Sequence, residues 1–270
     1  MVEQHKWLLT LGVIPLKNDI RDLIYVHLNE NEHYVLSYGV EFKEFISTQL
    51  DLINNILLLK HGFDDGDLNM HTILEFVPQE RFKKLVNDDV YSYGDFCWID
   101  FEEVEGLNEL PPFELAELLY LGHIKEPLKP PFYNYLRNRF VYLAHDDGWW
   151  NKVYYRHLND FYRMLSDVIS EKLSHIKLEK NILGMKKKRT YIPVHKDTIL
   201  SLKGMMKEGV LFSIKDAKQN RLRIEMPVYV IGDFLNMDDM YDEYERVRKG
   251  NSDGNLVFDK KTKEWNFYSN

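Results

Sequence analysis

AHDDGWWNKVYYR, residues 144 to 156, decides how this chain is read. Asp147-Gly148 between two β-prone runs is the strongest short-range hairpin signal a sequence offers. A two-residue type I′ turn needs positive φ at both central positions, and Asp followed by Gly supplies it cheaply. Reversing the chain there pairs Asp146 with Trp149, His145 with Trp150, Ala144 with Asn151 and Tyr142 with Val153. One face of the ribbon then carries Phe140, Tyr142, Ala144, Trp149, Val153 and Tyr155. The other carries Val141, Leu143, His145, Trp150, Lys152, Tyr154 and Arg156. Both faces are substantially apolar, so the hairpin is expected inside a sheet that is covered at least partly on each side.

Turn chemistry explains the two acids before any function is invoked. Adjacent Asp146 and Asp147 on extended backbone point apart, and a metal would need further ligands from elsewhere. The structural turn is therefore the preferred reading, with an acid–base or metal role for His145-Asp146-Asp147 as its competitor. Trp149 and Trp150, with His145 beside them, are candidate binding residues at an exposed tip, because aromatic side chains dominate interface hot spots.

Working outward, residues 21 to 38 read as two strands around the polar connection Asn29-Glu30-Asn31-Glu32. VEFKEFISTQLDLINNILLLKHG, residues 40 to 62, reads as a helix. Phe42, Phe45, Ile46, Gln49, Leu50, Ile53 and Leu57 keep helical spacing, and Gly62 offers a left-handed stop. A polar loop at 63 to 69, a short helix at about 78 to 87 and a strand in DFCWIDF follow. A helix then opens at Pro111-Pro112. Residues 158 to 176 read as another helix, with Asn159 at its N-cap and Phe161, Leu165, Val168, Ile169 and Ile176 on one side. A basic stretch at 177 to 197 precedes a helix in DTILSLKGMMKEG, two strands, an acidic segment and a hairpin about Asp253-Gly254.

Hairpin signals outnumber βαβ units. The expected fold class is α+β, a mostly antiparallel sheet with interspersed helices and a smaller mixed C-terminal subdomain. The charge shift near residue 180 suggests units at 1–180 and 181–270, unless the chain forms one continuous domain.

Composition narrows the function. With 44% hydrophobic and 29% charged residues, a chain of this length can bury a core. No apolar run is long enough for a membrane span, and the first residues do not read as a signal peptide. Cys97 is the single cysteine, which excludes a disulfide framework and a cysteine-based zinc site within the chain. Set in DFCWIDF, it is expected to be a core thiol of a cytoplasmic protein rather than a nucleophile. A net charge of −8 argues against a global nucleic-acid footprint. Abundant Lys, Asn, Ile, Tyr and Phe hint at an AT-rich bacterial or phage genome.

No phosphate loop, dinucleotide fingerprint, serine-hydrolase elbow or H-x-x-x-H pair is present. Asp64, Asp65 and Asp67 surround a glycine like part of a calcium loop, but position 72 is Thr where an EF-hand needs Glu. Asp238 with Asp242, and Asp239 with Glu243, share helix faces without any His or Cys and read as a solvated acidic helix. Pro127 and Pro130 match P-x-x-P, better read as a rigid connection than as an SH3-type ligand. Lys186, Lys187, Lys188 and Arg189 form the one basic run.

The expected function is non-catalytic binding of another protein, as a regulator, immunity factor or inhibitor, with no cofactor or metal. Two alternatives accompany it. One is a carboxylate-dependent metal hydrolase or nuclease using the acids at 64–67 or 145–147. The other is a nucleic-acid binder in which the basic run joins Lys203 and Lys207.

Overall fold

The computed structural model describes residues 22–63, 70–88, 90, 96–119, 132–145, 148–175 and 193–270. Its first hairpin joins β1 (Leu23–Asn29) to β2 (Tyr34–Tyr38) through Glu30–His33. That is one residue later than the connection expected at Asn29–Glu32, because Asn29 is still in the ladder opposite Tyr34. Helix α1 (Phe42–Gln49) follows, and Glu44 reaches back to accept from the Glu41 N–H at 2.8 Å. The chain then enters β3 (Asn55–Phe63) and β4 (Met70–Pro78).

The helix read across 40–62 thus ends after two turns, and its second half is a strand. Ile56 and Leu58 pack on one face of the sheet while Leu57 and Leu59 pack on the other. A strand buried on both faces gives a continuous apolar run, whose period of two is invisible in the sequence.

A short helix, α2 (Phe82–Val86), leads toward β5 (Phe96–Phe101), α3 (Glu105–Asn108) and α4 (Pro112–Leu119). The ribbon of β6 (Phe140–His145) and β7 (Trp150–Tyr155) has the register read from Asp147-Gly148, including Tyr142 opposite Val153 and His145 opposite Trp150. Gly148 sits at φ +83°. Asn151 braces the turn from within, donating to the carbonyls of Gly148 and Val40 and accepting from the Tyr142 hydroxyl at 2.7 Å.

Helix α5 (Leu158–His175) starts one residue before Asn159, which is therefore not its cap. The C-terminal helix expected in DTILSLKGMMKEG is two short ones, α6 (Lys196–Leu200) and α7 (Lys203–Glu208). Strands β8 (Val210–Ser213), β9 (Lys218–Gln219) and β10 (Arg223–Val230) precede α8 (Met237–Val247), and β11 (Gly254–Asp259) and β12 (Glu264–Ser269) close the chain. The last reversal lies at 260–263, not at Asp253-Gly254. Asp259 Oδ1 accepts from the N–H groups of Lys261 and Thr262 there. Gly254 is instead required by space, since a Cβ would stand 2.3 Å from the Phe267 ring.

All ladders among the described residues are antiparallel, in the order β12-β11-β10-β8-β1-β2-β7-β6-β5-β3-β4, with β9 on β10. The expected α+β class with an antiparallel sheet is the class observed. β1 pairs with β2 on one side and β8 on the other, so residues on both sides of position 180 share one sheet.

One face carries a continuous core in which Ile24, Trp98, Phe140, Val153 and Phe212 meet Phe45 of α1, Leu165 and Ile169 of α5, Ile199 of α6 and Met206 of α7. The second face is divided. Toward β3 and β5, Leu110, Leu118, Tyr133 and Leu136 cover Cys97, Ile99, Val141 and Tyr154. Toward β8 and β10, Met240 and Tyr244 of α8 cover Leu23, Tyr25, Leu211 and Tyr229. The core position of Cys97 is as expected.

Candidate site on the second face of the sheet

The middle strands carry the second face from one of these packed regions into the other, and the pairing registers arrange its side chains in rows. Tyr25, Tyr38, Trp150 and His145 form one row across β1, β2, β7 and β6. His27, Leu36, Lys152 and Leu143 form the next, and Asn29, Tyr34, Tyr154 and Val141 the third. Side chains two apart on one strand lie about 7 Å apart, so Trp150, Lys152 and Tyr154 make a single line along β7.

Lys152 stands at the centre of this array. Its Nζ lies 4.1 Å from the ring centroid of Tyr34 and 5.1 Å from that of Tyr154. The two rings meet edge to face at 5.5 Å, and Phe132 backs Tyr154 at 6.1 Å. The half-buried ammonium is thus held against π faces, an attractive geometry that does not neutralise its charge. No carboxylate of the described residues forms an ion pair with it.

The candidate residues of the hairpin tip divide. Trp150 is only 6% exposed and stacks on Tyr25 with centroids 5.6 Å apart, so it is a core residue of this face rather than an exposed tip. Trp150 pairs with Tyr38 of β2 and packs between the Tyr25 and Tyr38 rings, and that packing covers the indole. Trp149 is half-buried and leans toward Tyr38 at 6.5 Å. It therefore packs on the second face, opposite to the side that strict alternation assigns, because residue 149 belongs to the turn and the strand period starts only at 150. His145 is half-buried at the end of β6, directly across from Trp150. Asp146 and Asp147 lie outside the described residues, as do Asp64, Asp65, Asp67, Pro127, Pro130 and Lys186 to Arg189.

The array is anchored on its other side by the segment before α8. The Tyr25 hydroxyl donates to the Gly232 carbonyl at 3.0 Å and accepts from the Phe234 N–H at 3.2 Å, and burial raises its pKa. His27 Nδ1 lies 2.7 Å from Asp233 Oδ1, although the angle is not that of a hydrogen bond. The contact is ionic when the imidazole is protonated.

Three further sets of buried polar groups lie outside this array. Asp100, buried in β5, accepts from the N–H groups of Phe140 at 2.7 Å and Arg139 at 3.0 Å. Burial pushes its carboxyl up to about 7 against the opposing pull of those hydrogen bonds. The Arg139 side chain turns away to grip Asp160 of α5 at 2.8 Å, so the start of β6, held to β5 by Asp100, is fastened to a helix. Asp216 accepts from the Ser213 hydroxyl at 2.8 Å and from the Tyr244 hydroxyl, and so ties α8 to β8. Under α4, Tyr133 Oη and Glu114 Oε2 are buried without hydrogen-bond partners, and burial raises both pKa values.

Lys203 and Lys207 are both ion-paired to Glu30, so their charge is taken up locally. Asp238, Asp239 and Asp242 are exposed on α8, where Asp239 contributes its N–H to the Asn236 cap. Among the described residues no group of three or more His, Cys, Asp or Glu is placed to hold a metal ion. No helix among them is long and apolar enough to cross a membrane.

Lys152 and Asp100 were both missed as candidates by sequence reasoning. The available signals were a lysine between aromatic same-face neighbours in a strand, and an acid inside the apolar run DFCWIDF. Comparison of the chain with protein-family models, curated proteins and solved structures finds no match.

Proposed function

We propose that this protein works by binding another protein, as a regulator, immunity factor or inhibitor does, in the cytoplasm of a bacterium or in the service of a phage. The observation that supports the reading is the aromatic array around Lys152, on the second face where the two packed regions meet at Tyr34. Tyrosine and tryptophan offer large contact area at low entropic cost, and they are enriched where binding energy is concentrated. Half-buried Tyr34, Trp149 and Lys152 are supported from below by fully packed neighbours, so little ordering remains to be done on binding.

The test is a tagged pull-down from the source cells at low salt, with mass spectrometry and an absorbance ratio on the eluate. A stoichiometric protein partner that is lost on Trp149→Ala, with the melting temperature of the variant checked, is the expected result. A protein that elutes alone, or with nucleic acid, overturns the reading. Divalent-metal binding and hydrolase activity are then the next measurements.

A further inference from the structure

We infer that the Lys152 ammonium and the Tyr34 hydroxyl together form a seat for a carboxylate, supplied by an acidic segment of the partner protein. The inference rests on the protein-binding reading and says which chemistry the partner presents.

Lys152 is half-buried, and a lysine drawn partly out of water is usually compensated by a carboxylate partner. Glu44 plays that part for Lys172 at 2.8 Å, and Glu30 for Lys203 and Lys207. Lys152 has two tyrosine faces instead, which orient the ammonium across β2 and β7 and leave its N–H donors available.

Tyr34 supplies a second donor on the same ring that holds the lysine. Its hydroxyl oxygen accepts from Asn29 Nδ2 at 3.2 Å, which fixes the oxygen and leaves the phenolic proton to be given away. Two adjacent donors, one charged and one neutral, match the two oxygens of one carboxylate.

The surroundings also favour an anion. Asp233 faces His27 at the end of this row, and the positions flanking Lys152 in the row are Leu36 and Leu143. A carboxylate bound here meets one lysine and apolar walls, with no carboxylate of the described residues paired to that lysine to compete with it. An acidic side chain on a polypeptide satisfies both the charge and the apolar rim, which a small inorganic anion does not.

The experiment is a titration of the full chain at low ionic strength with N-acetylated, C-amidated hexaglutamate, and separately with acetate and inorganic phosphate. Tryptophan fluorescence is the readout, because Trp150 is two positions from Lys152 on the same face. Saturable hexaglutamate binding is expected, weakened at least about tenfold by Lys152→Met and severalfold by Tyr34→Phe. It should be lost near 1 M salt, where screening reaches about 3 Å. Both variants keep the bulk of the side chain, and circular dichroism confirms that they fold.

Hexaglutamate binding that survives in both variants overturns the inference, as does no binding to the wild type. Lys152-dependent binding of phosphate without hexaglutamate overturns the polypeptide carboxylate in favour of a small-anion site. A partner captured equally by wild type and Lys152→Met refutes the carboxylate seat while leaving the protein-binding reading intact. The absence of any captured partner refutes that reading instead.

Discussion

Asp100 shows how a single buried group sets a pH dependence. Its carboxyl titrates at about 7 in the folded chain because burial penalises the charge, against about 3.9 in an unfolded one. Between those values the folded state holds a proton that the unfolded state lacks. The contribution of this group to stability is therefore greatest below pH 4 and falls as pH rises to 7. The fall amounts to roughly 4 kcal/mol at 1.36 kcal/mol per pH unit. Asp100→Asn keeps the oxygen that accepts from Phe140 and Arg139, and it should abolish this component. Urea midpoints at pH 4.5 and 7.5 check it: the variant should gain on the wild type at the higher pH. At Gly148 the demand is conformational. Among the described residues a Cβ there would meet Phe96 alone, at an ordinary 3.5 Å, so the cost of Gly148→Val comes from φ +83°. A loss of about 1–2 kcal/mol is expected, with Gly148→Asn costing clearly less in the same denaturation assay.

At the scale of elements, buried polar anchors join helices to the sheet. Ser170 Oγ accepts from the Val194 N–H at 2.7 Å, and Ser166 donates to the Val194 carbonyl, so the segment entering α6 is clamped to α5. Tyr244 does the same for α8 by contacting Asp216 and Ser213 from a fully buried position. Tyr244→Phe removes the hydroxyl and leaves the ring in place. A destabilisation of about 1–2 kcal/mol is expected, with faster amide exchange in α8 and unchanged exchange in α5. Elements were legible in the sequence where one face is wet, as in the helix at Leu158, or where turn chemistry marks a reversal. The ribbon at Asp147-Gly148 is of the second kind, buried on both faces yet giving its register through the turn. β3 was illegible because Ile56 to Leu59 are buried on both sides, and the break between α6 and α7 leaves no proline or glycine as a marker.

For the whole molecule, β1 is the strand that unites the two parts of the chain. It is fully buried from Leu23 to Val26 and joins strands from both ends of the chain. Ile24 and Val26 share one core with Ile199, Met206, Val210 and Phe212. Residues 22–175 and 193–270 are therefore expected to unfold together. Calorimetry should give a single transition with matching calorimetric and van't Hoff enthalpies, and two separated transitions would refute the shared core.

Local sequence was enough for the α+β class, the strongest hairpin with its register, the buried thiol and the two-sided burial of the central ribbon. Each of these is written in local turn chemistry or in a period that neighbouring residues display. Folding in three dimensions was needed to make Trp150 core, to set Lys152 against Tyr34 and Tyr154, and to bury Asp100. Those facts depend on strands far apart in sequence being placed side by side. Tyr34 and Lys152 are separated by more than a hundred positions, yet adjacent pairing of β2 and β7 puts one over the other, and no local pattern encodes that adjacency.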